Sequence, residues 1–88
     1  MSTEETVKEI LERLLCVDEQ ELTPQALLVE DLGMDSLDRV EISMELEEAL
    51  LEGEEIDEEI AENWKTVADV LLSVEAMVDR ATHRAGRV

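Results

Sequence analysis

Phenylalanine and tyrosine are absent and Trp64 is the only aromatic residue, so any core this chain builds is aliphatic, made of Leu, Ile, Val, Met and Ala. A single cysteine, Cys16, excludes an internal disulfide, and one soft ligand without a His or Cys companion makes no zinc site. Cys16 is expected to be a small core residue. The one histidine, His83, lies in the last few residues, too far along the chain to be the obvious base for a nucleophilic serine. No apolar run approaches the roughly 20 residues of a membrane span. The opening "MSTEETVKEI" is acidic and lacks the basic and apolar regions of a signal peptide, so a cytoplasmic location is expected. There is no internal repeat, no low-complexity linker and no period-two alternation of the kind strands show.

Aliphatic residues and acids are plentiful. Apolar residues make up 44% of the 88 positions, enough for one small domain near the size at which a single core becomes marginal. The formal charge of −18 argues against nucleic acid or an anionic membrane surface as partner, because phosphate-rich surfaces repel such a chain. The charge is uneven. Residues 1–79 hold all 25 acids against four bases, a formal −21, whereas Arg80, Arg84 and Arg87 crowd the end. The expected organisation is a helical domain over 1–79 and a basic tail over 80–88, and any charged partner should be basic.

Hydrophobic spacing predicts an all-α fold: a small bundle of three longer helices plus one short helix, with a long loop between helices one and two. Val7, Ile10, Leu11, Leu14 and Leu15 form one helical stripe, with Ser2 and Glu5 as a capping box ahead of it. The pattern dissolves over 17–34, "VDEQELTPQALLVEDLGM", where Leu22, Leu27, Leu28, Val29 and Leu32 favour a loop packed on the bundle over a disordered one. The second helix is expected over 37–51, with Leu37, Val40, Met44, Leu46, Leu50 and Leu51 on its apolar side and both Asp35 and Ser36 suited to the N-cap. Gly53 should close it. "EEIDEEIAENW" predicts a short third helix through Ile56, Ile60 and Trp64. The fourth opens at Thr66, with Asp69 as capping partner, and runs through Val67, Val70, Leu71, Val74, Met77 and Val78. Arg80, His83 and Arg84 then either complement the negative end of its dipole or fray.

"GMDSLDRVEI", residues 33–42, carries the functional signal. Asp38, Glu41, Glu45, Glu48 and Glu52 advance by three and four, one acidic line along helix two. Such a line repels itself unless a basic partner covers it, and its bland reading is a solvated face. Ser36 has no evident base or oxyanion donors, and the surrounding negative field opposes a developing anion, so it is not expected to be a catalytic nucleophile. It does suit modification by another enzyme: a helix N-terminus holds a hydroxyl in place and favours an attached phosphate. The plain alternative is an N-cap serine.

"DLGMDSLDRVEISMELEEAL" resembles the acyl carrier proteins, and the likeness extends to the loop at 22–24 and to "TVADVL" from Thr66. The resemblance implies a covalent 4′-phosphopantetheine arm, taken from coenzyme A by a phosphopantetheinyl transferase and joined to Ser36 between Asp35 and Leu37. It implies no catalytic residue and no specific metal site. It also implies a monomer whose Asp38, Glu41, Glu45 and Glu48 meet basic patches on fatty acid or polyketide synthase enzymes, and whose interior shelters an acyl chain, with Met44 and Met77 yielding room. Leu50 and Leu51 stand where the family often has an aromatic residue, Asp57 where it has proline, and Trp64 where a smaller aliphatic is common. The competing reading is an acidic helical adaptor, or a weak cation binder using Glu30, Asp31, Asp35 and Asp38, with no prosthetic group.

Overall fold

A computed structural model describes residues 2–85, and the side chains of residues 2–80. Helix α1 spans Thr3–Leu15, α2 Ser36–Leu50, α3 Glu58–Glu62 and α4 Val67–Ala85, with no strand among the described residues. Both α2 and α4 pack on α1, and the short α3 lies against α2.

Helix α1 begins where the sequence places it. Ser2 is the N-cap, its Oγ accepting the Glu5 N–H at 3.1 Å. Val7, Ile10 and Leu11 are buried, and Leu14 and Leu15 are half-buried against the same core. Cys16 departs from expectation: it is exposed and ends the helix in the left-handed region, φ 55°. It lies five residues beyond Leu11, about 140° round the helix at 3.6 residues per turn, and so faces away from the stripe.

The long loop packs, with Leu27 and Val29 the exceptions among its aliphatic side chains. A turn of 3-10 helix at Glu19–Glu21 leads to Leu22, Ala26, Leu28, Leu32 and Met34, all buried, whereas Leu27 and Val29 point outward. Backbone bonds fasten the loop to the head of α4: Leu28 N–H donates to the Lys65 carbonyl, and Val67 and Ala68 N–H donate to the carbonyls of Ala26 and Pro24. The segment then closes on itself. Asp31 accepts the Leu27 N–H at 2.8 Å, and Gly33, at φ 73°, makes a left-handed bend that most residues avoid.

Helix α2 differs most from the spacing argument. Leu37, Val40 and Met44, expected in the core, are 65%, 55% and 60% exposed, and the buried residues are Ile42 and Leu46, with Leu51 just beyond the helix end. Apolar residues occur nearly all round this helix, so their spacing alone does not select a face; the stripe of α1 does, by packing on Ile42 and Leu46. The chain leaves α2 through two left-handed residues, Glu52 and Gly53, and Gly53 N–H closes on the Glu47 carbonyl at 3.0 Å.

The third helix is shorter than residues 54–64. Asp57 is extended, with ψ 135°, and Ile56 gives its N–H to the Glu47 carboxylate at 2.7 Å instead of to a helix. Ile56, Ala61 and Trp64 anchor this segment in the core. Helix α4 opens as expected: Thr66 Oγ1 accepts the Asp69 N–H, and Asp69 Oδ2 accepts the N–H groups of Lys65 and Thr66. Those two backbone donors hold the Asp69 carboxyl below the usual carboxylate range. Val67, Val70 and Val74 complete the core, and the indole N–H of Trp64 donates to Ser73 Oγ at 2.8 Å. Helix α4 runs on through Arg80. The side chains of His83, Arg84 and Arg87, invoked for the tail, lie outside the described residues.

Candidate functional site

The packed loop delivers Met34 into the core and Asp35 to the head of α2. Asp35 is the N-cap, and it forms a reciprocal pair: its Oδ1 accepts the Asp38 N–H at 2.8 Å, while Asp38 Oδ2 accepts the Asp35 N–H at 3.1 Å. Ser36 is therefore the first residue inside the helix, which removes the N-cap reading of this serine. Its neighbours are committed elsewhere. The Asp35 and Asp38 carboxylates, the titratable groups nearest to it in sequence, are both held in the cap, and among the described residues nothing hydrogen-bonds Ser36 Oγ. The other three serines all use their hydroxyls: Ser2 with Glu5, Ser43 with the Arg39 carbonyl, Ser73 with Trp64 and the Val70 carbonyl. Ser36 alone presents an exposed, unengaged hydroxyl, at the positive end of a 15-residue helix.

Beside it runs a cleft of about 380 Å³ between α2 and the α3 segment. Ser36 lies at one end. Arg39, Val40, Ser43, Met44 and Glu47 form the α2 wall, and Ile56, Glu58, Ala61 and Glu62 the other. Met44 lines this space as expected, whereas Met77 packs on the core from α4 and does not line it. The hydroxyl is thus within reach of both solvent and an apolar recess. Ser36 is exposed with its Oγ unengaged, and among the described residues no buried polar side-chain atom lacks a partner, so an arm joined there displaces no existing bond of Ser36 and the residues present fit 4′-phosphopantetheine.

The acidic line keeps its geometry from Asp38 to Glu48, whereas Glu52 lies beyond the end of α2 in the left-handed region and leaves the line. Glu41 and Glu48 are exposed, Asp38 is partly occupied by the cap, and Glu45 forms an ion pair with Arg13 of α1. Leu37, Val40 and Met44 border it, each one position before an acid, so the surface is a mixed acidic and apolar face. Spacing places those three in the core, and adjacency to acids would not have corrected it, since the buried Ile42 and Leu46 also adjoin Glu41 and Glu45. Among the described residues no group of three or more His, Cys, Asp or Glu is placed to hold a metal ion, and no helix is long and apolar enough to cross a membrane.

Known proteins resemble this chain in sequence and fold. The family model for the phosphopantetheine attachment site matches residues 5–72. An acyl carrier protein of Helicobacter hepaticus is 46% identical over 76 residues, 86% of this chain and 97% of its own length. A solved structure from Mycobacterium tuberculosis, assigned as an acyl carrier protein, superposes with a TM-score of 0.74 at 36% identity and covers 85% of this chain and 97% of its own. These likenesses support a carrier over an acidic adaptor without a prosthetic group. With its free serine at the head of α2 and its adjoining cleft, the chain belongs to the acyl carrier protein family, as a carrier rather than a catalyst, with 4′-phosphopantetheine as its prosthetic group.

Proposed function

We propose that Ser36 is the attachment residue, flanked by Asp35 and Leu37, and that the unit that works is residues 1–79 with 80–88 as a basic extension. The observation that carries this reading is the single unengaged serine hydroxyl, held at the N-terminus of α2 beside an apolar cleft. The prosthetic group supplies a thiol that holds acyl groups as thioesters. The chain's own residues do the rest: Asp35 and Asp38 fix the head of the helix, Ser36 Oγ provides the ester oxygen, and Val40, Met44 and Ile56 offer apolar cover. The helix dipole at Ser36 favours the negative charge of a phosphodiester there.

The partners that follow from this reading are a phosphopantetheinyl transferase and synthase enzymes, of fatty acid or polyketide type, working in the cytoplasm. Asp38, Glu41, Glu45 and Glu48 would meet their basic patches, with Leu37, Val40 and Met44 as apolar contacts at the same face. Incubation with coenzyme A, Mg²⁺ and a broad-specificity transferase should add one arm by intact mass, and Ser36→Ala should abolish it. An unmodified wild-type chain under conditions that load a control carrier overturns the assignment.

A further inference from the structure

The cleft wall contains a residue that an apolar recess does not need. Arg39 is half-buried, one helical turn beyond Ser36 on the same face of α2, and in a chain with 25 acids it forms no ion pair among the described residues. Its Nη1 donates instead to two backbone carbonyls across the cleft, those of Ala61 and, at 3.2 Å, Trp64. Ala61 lies in the last turn of α3, where its carbonyl also accepts the Trp64 N–H at 3.2 Å, and Trp64 lies two residues beyond the helix. At the other end of the same wall, Glu47 accepts the Ile56 N–H. The α3 segment is therefore tied to α2 by a polar side chain at each end.

That matters because α3 cannot hold itself. It has five residues and no side-chain bond at its N-cap, far short of the length at which a helix is stable alone. The cleft, at about 380 Å³, is at the small end of the roughly 300–1,000 Å³ range of ligand sites, and enlarging it requires α3 to move off α2. Such movement breaks both charge-assisted bonds from Arg39 and strands a half-buried guanidinium.

We propose that Arg39 is a specificity-determining residue that limits the length of acyl chain the cleft can shelter: it clamps α3 next to the attachment residue, so that short chains are covered and long ones remain in solvent. The inference rests on the reading of Ser36 as the arm-bearing residue. Arg39→Met, which keeps much of the volume and removes every donor, is the test, with Arg39→Lys as the variant that retains a charged donor.

The first measurement needs no arm. Amide hydrogen exchange of the unmodified chain should quicken in Ile60, Ala61, Asn63 and Trp64 of Arg39→Met by roughly tenfold or more, the least expected when hydrogen bonds to a charged group are lost, with the amides of α1 unchanged. Uniform quickening, or none, removes the clamp. The second follows the base-catalysed hydrolysis of butanoyl, octanoyl and dodecanoyl thioesters on the arm, with loading verified first by mass. Wild type should protect butanoyl and leave dodecanoyl as labile as a free thioester, Arg39→Met should extend protection to octanoyl, and Arg39→Lys should resemble wild type. Identical profiles for wild type and Arg39→Met overturn the role of Arg39 alone. Failure of the wild type to take an arm overturns the carrier reading of Ser36 and this proposal with it.

Discussion

Reversal of Glu41 and Glu48 to lysine separates docking from folding, because the two should move in opposite directions. Glu41 has like-charged neighbours at Asp38 and Glu45, and Glu48 has one at Glu45. Each such pair repels by about 0.2 to 0.5 kcal/mol, and reversal turns it to attraction, a swing of about 0.4 to 1 kcal/mol per pair. The change at Glu48 would also place a cation in the last turn of α2, which has no base there now. Against this, a cation in place of Glu41 would share a groove with Arg13, which lines it together with Glu41 and Glu45. The net expectation is about 1 kcal/mol of added stability, a rise of roughly 4 to 8 °C in Tm for a domain this small. Glu45→Lys should bring no such gain, since it loses the Arg13 partner and sets two cations side by side. Loading by the transferase should slow several-fold in both variants at low salt, through the association rate, and recover as salt screens the encounter. Thermal melts and stopped-flow loading across ionic strengths are the assays. Equal slowing by Glu5→Lys with Glu12→Lys, on α1, would refute the docking role, since net charge alone would then account for it; an unchanged or lower Tm in Glu41→Lys with Glu48→Lys would refute the repulsion reasoning.

The head of α2 offers a paired test: Asp35→Ala removes the N-cap and should cost about 0.5 to 2 kcal/mol in urea melts, whereas Ser36→Ala, inside the helix with its hydroxyl unengaged, should stay within about 0.5 kcal/mol of wild type. Asp69 has a depressed carboxyl pKa in the folded chain, so its contribution is present above the unfolded value and is lost as pH falls through the lower folded one. Asp69→Asn should therefore shrink the stability difference between neutral pH and the region below about pH 4, measured by urea melts across pH. Near pH 7 added salt or millimolar Mg²⁺ should raise Tm by screening the formal −18, and a flat or falling Tm would mean that self-repulsion is not a controlling term.

Most of the bundle could be read from the chain because α1 and α4 have one apolar face each, and their caps, Ser2 with Glu5 and Thr66 with Asp69, are local in sequence. Helix α2 could be located but not oriented. With Leu37, Val40, Ile42, Met44 and Leu46 spread around it, only the surface of α1 decides that Ile42 goes in and Val40 stays out. The same applies to Ser36: the "DSL" stretch pointed to the residue, but which of Asp35 and Ser36 caps the helix depends on the reciprocal bond with Asp38. Arg39 left no sequence signal, because its partners are backbone carbonyls 22 and 25 residues away, whose position depends on how α3 docks. Cys16 is exposed because its angle on α1, and not its apolar character, decides which way it faces.

The fastening of the long loop to the head of α4 bears on the order in which the molecule assembles. The amides of Val67 and Ala68 are among those an α-helix leaves unbonded at its start, and here they find the carbonyls of Ala26 and Pro24, 41 and 44 positions earlier in the chain. The last helix is thus completed at its N-terminus by a segment that precedes α2, and neither the loop nor that first turn is finished without the other. Bundles joined by short local turns fold quickly because their contacts are close in sequence. This chain must instead close a loop of some forty residues before its final helix is secured, so its refolding should be slow for an all-helical protein of its size, with the loop and the head of α4 gaining protection in the same kinetic phase.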